Sequence, residues 1–178
     1  AQCLVGSEMC IRDRKWEEAS MFTHSAPLDT SFSMHDCRAT GLRIERGALV
    51  LTFEDGVWAC AGSANNPGEK TIRTGRAEVR LDGFTAEETE LTYFRDLRFF
   101  GWKAAELRKH LTLEALERCV NSGRWELEFK DAFSAGCAYL FRGLVWQKRR
   151  PYLMEFELSV EASGMTCFWD KLRMECEW

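Results

Sequence analysis

His35, Asp36 and Cys37 are adjacent and are the residue types of a thiol nucleophile with its base. On an extended strand, however, His35 and Cys37 share a face about 6.6 Å apart, two rises of about 3.3 Å, and Asp36 points the other way. A Cys–His hydrogen bond needs a separation of roughly 3 Å. Catalysis by Cys37 therefore requires a bulge, or an imidazole brought from His24 or His110. The competing expectation has Asp36 bonding backbone amides where a strand begins, His35 half exposed and Cys37 in the core. That second expectation needs no extra geometry, so His35, Asp36 and Cys37 stand as catalytic candidates only for an alternative, cysteine-dependent enzyme.

Other reaction chemistries lack their motifs. No Gly-x-Gly-x-x-Gly, Gly-Lys-Ser/Thr, Gly-x-Ser-x-Gly or His-x-x-x-His occurs, and none of the 8 cysteines forms a Cys-x-x-Cys pair. With 3 histidines in the whole chain, a structural zinc site has little to be built from, and the sequence points to no cofactor. Unpaired thiols suit a reducing compartment, so a cytoplasmic location is expected.

Binding chemistry is easier to find. Arg142, Trp146 and the run Lys148-Arg149-Arg150 set cations near an aromatic ring, the combination that grips phosphates and stacked bases. The net charge of −4 and pI near 5.5 argue against a nucleic-acid or anionic-membrane partner. Trp58 and Trp146 fall off the inward register of their strands, and exposed aromatics on a sheet grip a protein or a sugar ring. Trp58, Trp146, Arg142 and Arg149 are thus the expected binding residues, with a protein as the expected partner.

The elements that must position these residues are mostly strands. Leu42 and Ile44 alternate with Arg43 and Glu45, the chain turns at Gly47, and Leu49, Leu51 and Phe53 alternate with Val50 and Thr52: a hairpin. Asp55-Gly56 turns into a third strand, Val57 to Cys60. Further strands are expected at Arg76–Leu81, Thr89–Phe94, Trp125–Lys130, Tyr139–Trp146, Met154–Glu161 and Met165–Trp169. Tyr139–Trp146 is apolar on both faces except at Arg142, which places it centrally. Residues 22–33 read as a loop, and Lys103–His110 has helix-forming residues without a cap or a clean stripe. Thr112 to Asn121 predicts the one helix, capped by Thr112, with Leu113, Leu116 and Val120 on one face and Gly123 beyond its end. The expectation is a mainly β, α+β fold, an antiparallel sandwich or bent sheet of about eight short strands with one short helix near 112–121.

Two resemblances bear on this reading. Cys3 to Arg14 resembles a translated transposon-end adaptor used in preparing sequencing libraries, the match running over Leu4 to Asp13. Trp16-Glu17-Glu18 can be encoded by a purine-rich stretch like a bacterial ribosome-binding site. Met21 is then the expected native start, with residues 1–20 non-native and 21–178 a single domain. The body, from Met34 to Trp169, resembles small bacterial β-rich proteins through His35-Asp36-Cys37, Thr112-Leu113 and Trp125-Glu126-Leu127. That resemblance implies no activity. A non-enzymatic domain acting by protein binding, in an immunity-like or accessory role, is the expected function. A third possibility is that the chain is a fragment ending at Trp178 by assembly.

Overall fold

The alternating segments fold as strands, and their apolar halves meet in one core. The computed structural model describes residues 22–45, 47–100 and 102–178. Residues 1–20, on which the adaptor reading falls, lie outside the described residues. In chain order the first strands are β1 (His24–Pro27), β2 (Phe32–Ser33), β3 (Cys37–Ala39), β4 (Gly41–Glu45), β5 (Ala48–Phe53), β6 (Trp58–Ala59), β7 (Ile72–Thr74) and β8 (Ala77–Asp82). The long strands β9 (Glu90–Phe99) and β10 (Trp102–Leu111) precede the helix α1 (Leu113–Asn121). The chain closes with β11 (Trp125–Ala135), β12 (Ala138–Gln147), β13 (Leu153–Glu161), β14 (Gly164–Trp169) and β15 (Leu172–Glu177).

All pairings are antiparallel. They form a five-stranded sheet β1-β14-β8-β5-β4, a six-stranded sheet β10-β9-β13-β12-β11-β3 and a small sheet β15-β7-β6-β2. Leu49, Leu51, Phe53, Val79 and Cys167 from the five-stranded sheet share one buried cluster with Leu127, Phe129, Phe141, Phe156 and Leu158 from the six-stranded one. Phe53 meets Phe129 across the interior, 5.7 Å between ring centroids. The result is the mainly β, α+β fold that the alternation predicts.

Helix α1 closes one end. The Thr112 hydroxyl accepts from the Ala115 amide at 3.4 Å, and Leu113, Leu116 and Val120 are buried. Nine residues do not hold a helix alone; docking on β4, β9 and β11 does. At its last turn Asn121 clamps the outer edge of β4, its Nδ2 donating to the Leu42 carbonyl at 2.7 Å and its Oδ1 accepting from the Leu42 amide at 2.9 Å. On the other side of that sheet the Arg43–Glu78 pair, two bonds of 2.8 Å, bridges β4 and β8 over Val50 and Thr52. This explains why β5 is buried on both faces and not half-buried as its alternation suggests.

Three expectations are corrected, and one segment without a clear pattern takes its place in a sheet. Residues 22–33 are not all loop, because β1 adds to the edge of β14 and β2 to β6. Trp58–Ala59 does not extend the β4–β5 hairpin; Gly56, at φ +78, turns it into the small sheet beside β7. Lys103–His110, which the sequence pattern leaves unassigned, is strand, and fifteen strands are present among the described residues where about eight were expected. The surplus consists largely of two- to four-residue edge pieces too short to show a period.

Candidate functional site

The first candidate is the corner before β3. Asp36 takes φ +57 there, a conformation that Asp tolerates better than most residues. The turn points Cys37 inward, and the thiol is wholly buried. Its Sγ lies 3.5 Å from the His35 carbonyl oxygen, its closest polar partner. Burial pushes the Cys37 thiol up to about 12, the reverse of what a nucleophile needs. The imidazoles do not serve it. His35 turns its Nδ1 to Asp36 Oδ2 at 3.1 Å and stacks on Trp178 at 5.5 Å; His24 stacks on Trp169 at 5.3 Å; His110 pairs with Glu90 on the far edge of the six-stranded sheet.

Asp36 departs from expectation as well, since its carboxylate engages Lys130 and His35, not backbone amides. The hydrogen bond from Lys130 is the main reason its pKa lies below the usual carboxylate value. Lys130 in turn reaches Glu128 at 2.5 Å. Glu128 lies almost entirely out of solvent on β11, where burial works to raise its pKa. Hydrogen bonds from Lys130, from Arg38 Nε at 3.1 Å and from Trp146 Nε1 at 2.6 Å outweigh that burial and hold the carboxyl below its ordinary range. Arg38 also covers the Trp146 ring at 4.1 Å. This chain of polar contacts ties β3, the short edge strand, to β11 and β12. It is a structural staple centred on the Glu128 carboxylate, which accepts from Lys130, Arg38 and Trp146.

The expected binding residues are dispersed. Trp146 and Arg142 share the outer face of β12, but Trp146 is half-buried in the staple and Arg142 bonds Glu157 at 2.8 Å. Trp58 is in the small sheet, its Nε1 donating to the His35 carbonyl at 3.0 Å and its ring between Trp178 and Arg73. Arg149 is exposed in the β12–β13 turn, beside Arg124 and Lys148, on a hollow of about 500 Å³. These four residues do not form one patch. Among the described residues no group of three or more His, Cys, Asp or Glu is placed to hold a metal ion.

The residues that sequence reasoning missed are at the tip of the β9–β10 hairpin. Phe99, Phe100 and Trp102 are 69, 89 and 81% exposed, the three most exposed large apolar side chains described. Strand β9 pairs with β13 only from Glu90 to Phe94, so beyond Phe94 the hairpin leaves the sheet as a two-stranded arm. At the root of the arm lies an open cleft of about 790 Å³. Phe94, Leu144, Tyr152 and Leu153 line it, with Lys103 and Arg150 at its rim. The signal was present in the sequence: an apolar Phe99-Phe100-Gly101-Trp102 run between charged segments, centred on a glycine. No protein-family model, curated protein or solved structure matches this chain, so its function is read from these geometries.

Proposed function

We propose that this protein is a non-enzymatic binding domain that grips a protein partner with the β9–β10 arm, in an immunity-like or accessory role. One observation carries the reading: three large aromatics cluster in solvent at the end of an arm. Exposed apolar clusters of this kind mark interaction sites, and buried aromatics dominate the energetics of protein interfaces. The cleft at the root of the arm receives a side chain of the partner. The described cysteines are all free, which supports a reducing, cytoplasmic setting for the encounter. The buried, poorly ionised thiol of Cys37 weighs against the cysteine-enzyme alternative.

The test is co-expression with the product of each gene flanking this one, since dedicated partners are often encoded side by side. The expected result is that one product co-purifies with the wild-type chain and is lost with the double variant Phe100→Ser/Trp102→Ser, whose circular dichroism is unchanged. Retention of the product by the double variant, or no co-purifying product at all, refutes the reading.

A further inference from the structure

Every long sheet must deal with its edges, because an uncovered edge presents unpaired N–H and C=O groups to any strand that approaches. Here most edges are short or covered. The β4 edge is closed by Asn121. On the six-stranded sheet β3 is three residues long, and on the small sheet β2 is two. Strand β1 is four residues and ends in proline. The outer part of β11, Asp131–Ala135, runs past β3 but is short. Strand β15 is a six-residue edge with irregular pairing. Strand β10 is the longest edge, ten residues without proline and, among the described residues, with no element on its outer side.

Its support is also uneven. Residues 108–111 of β10 pair with the part of β9 that β13 holds, whereas 102–107 belong to the free arm. An isolated two-stranded ribbon is marginal in water. The arm therefore calls for a third strand, and the stable base of β10 in a second copy is such a strand.

We propose that two copies of this chain pair β10 to β10, antiparallel, about a two-fold axis at Leu107. The register follows from symmetry and charge. A two-fold relating side-by-side antiparallel strands runs perpendicular to the sheet, so each residue meets one on the same face. After the irregularity at Ala104 the strand alternates regularly from Ala105 to Leu111, so the axis passes through a residue. Centred on Glu106, it sets Glu106 against itself; centred on Arg108, it sets Arg108 against itself. Centred on Leu107, it sets Glu106 opposite Arg108 twice and the half-buried Leu107 against its own copy. Opposite charges facing across strands stabilise a pair, and like charges destabilise it. Among the described residues Arg108 has no ion-pair partner within its own chain, and Glu106 has only Lys103, at 2.7 Å. In this register each copy's free residues 102–107 lie against the supported base of the other. The two six-stranded sheets become one of twelve strands, and the aromatic tips point to opposite ends.

The experiment is sedimentation velocity and light scattering on the full chain from about 1 to 200 µM. The wild type is expected to reach twice the chain mass. Arg108→Glu and Glu106→Arg each put two like-charged pairs across the axis, and each is expected to weaken association about tenfold or more. The doubly swapped chain, Glu106→Arg/Arg108→Glu, restores the opposite pairing and is expected to recover the dimer. Circular dichroism checks that every variant is folded. A wild type that stays monomeric at all concentrations overturns the proposal. A dimer that ignores both single reversals, or a double swap that fails to recover it, does so equally. None of these outcomes depends on the tip aromatics, so the result is independent of the co-purification test.

Discussion

Alkylation with iodoacetamide at pH 8 separates the two accounts of Cys37. A thiol at the ordinary value of 9.0 is about one-tenth thiolate at that pH, and one held at about 12 is thiolate in about one molecule in ten thousand. The thiolate fraction alone is thus lower for Cys37 by about a thousandfold than for an ordinary thiol, an effect that the greater nucleophilicity of a more basic thiolate offsets only in part. Its complete burial adds a second barrier, because reagent must wait for local opening. Cys167, also fully buried and likewise raised to about 12 by burial, should behave in the same way. Cys137, exposed between β11 and β12, supplies the fast internal reference. Peptide mapping by mass spectrometry over a time course reads all sites at once. The expected result is rapid modification of Cys137, none of Cys37 or Cys167 while the protein is native, and equal rates in guanidinium. Modification of native Cys37 within about tenfold of the Cys137 rate would refute the burial argument and revive the nucleophile.

The remaining predictions concern the framework. Glu128→Gln keeps an acceptor for Trp146 but removes the counter-charge of Arg38 and Lys130. It should cost about 1–2 kcal/mol, read as a fall of roughly 3–6 °C in Tm, and an unchanged Tm would show that the staple contributes nothing. Because the folded pKa of Glu128 and of Asp36 lies below the unfolded one, their stabilisation is complete above about pH 4.3 and is lost as pH falls through the folded values. Acid titration of Glu128→Gln should show a shallower loss than wild type below that point. Gly143→Ala places a methyl group onto the Glu128 carbonyl oxygen and the Phe156 ring, and should cost about 2–3 kcal/mol or prevent folding, by urea denaturation. Leu116→Ala empties the buried contact of α1 and should cost about 2–5 kcal/mol in the same assay.

Legibility in the sequence tracked how far each segment's own pattern coincided with its tertiary role. Helix α1 was readable because Thr112, the Leu113/Leu116/Val120 stripe and Gly123 all act within a dozen residues. The interior position of β12 in its sheet was readable from its apolar run, although its outer face, with Arg142 exposed and Trp146 half-buried, is not fully covered. The polar staple was not, since Arg38, Glu128, Lys130 and Trp146 meet only after β3 docks on β11, across a sequence separation of about 90 residues. The expectation that Trp58 and Trp146 surface as a patch had no way to include Arg73, Trp178 or Arg38, the groups that cover them.

Strand β10 is the segment in which local preference and fold conflict. Lys103-Ala104-Ala105-Glu106-Leu107-Arg108-Lys109 is made of strong helix formers, and Lys103 even bonds Glu106 three residues on, a helical spacing, while the backbone is extended. Intrinsic propensity is a weak prior that tertiary pairing overrides, yet here the pairing comes from β9 alone along the outer half of the strand. A sequence that favours helix, carries exposed aromatics at its tip and rests on a single neighbour is poorly explained by the stability of the isolated chain. Sites where local rules are broken without a gain inside the fold are where function is to be sought. A second copy along the β10 edge and a partner at the aromatic tip would each supply missing contacts, the two surfaces meeting at Trp102 and Lys103.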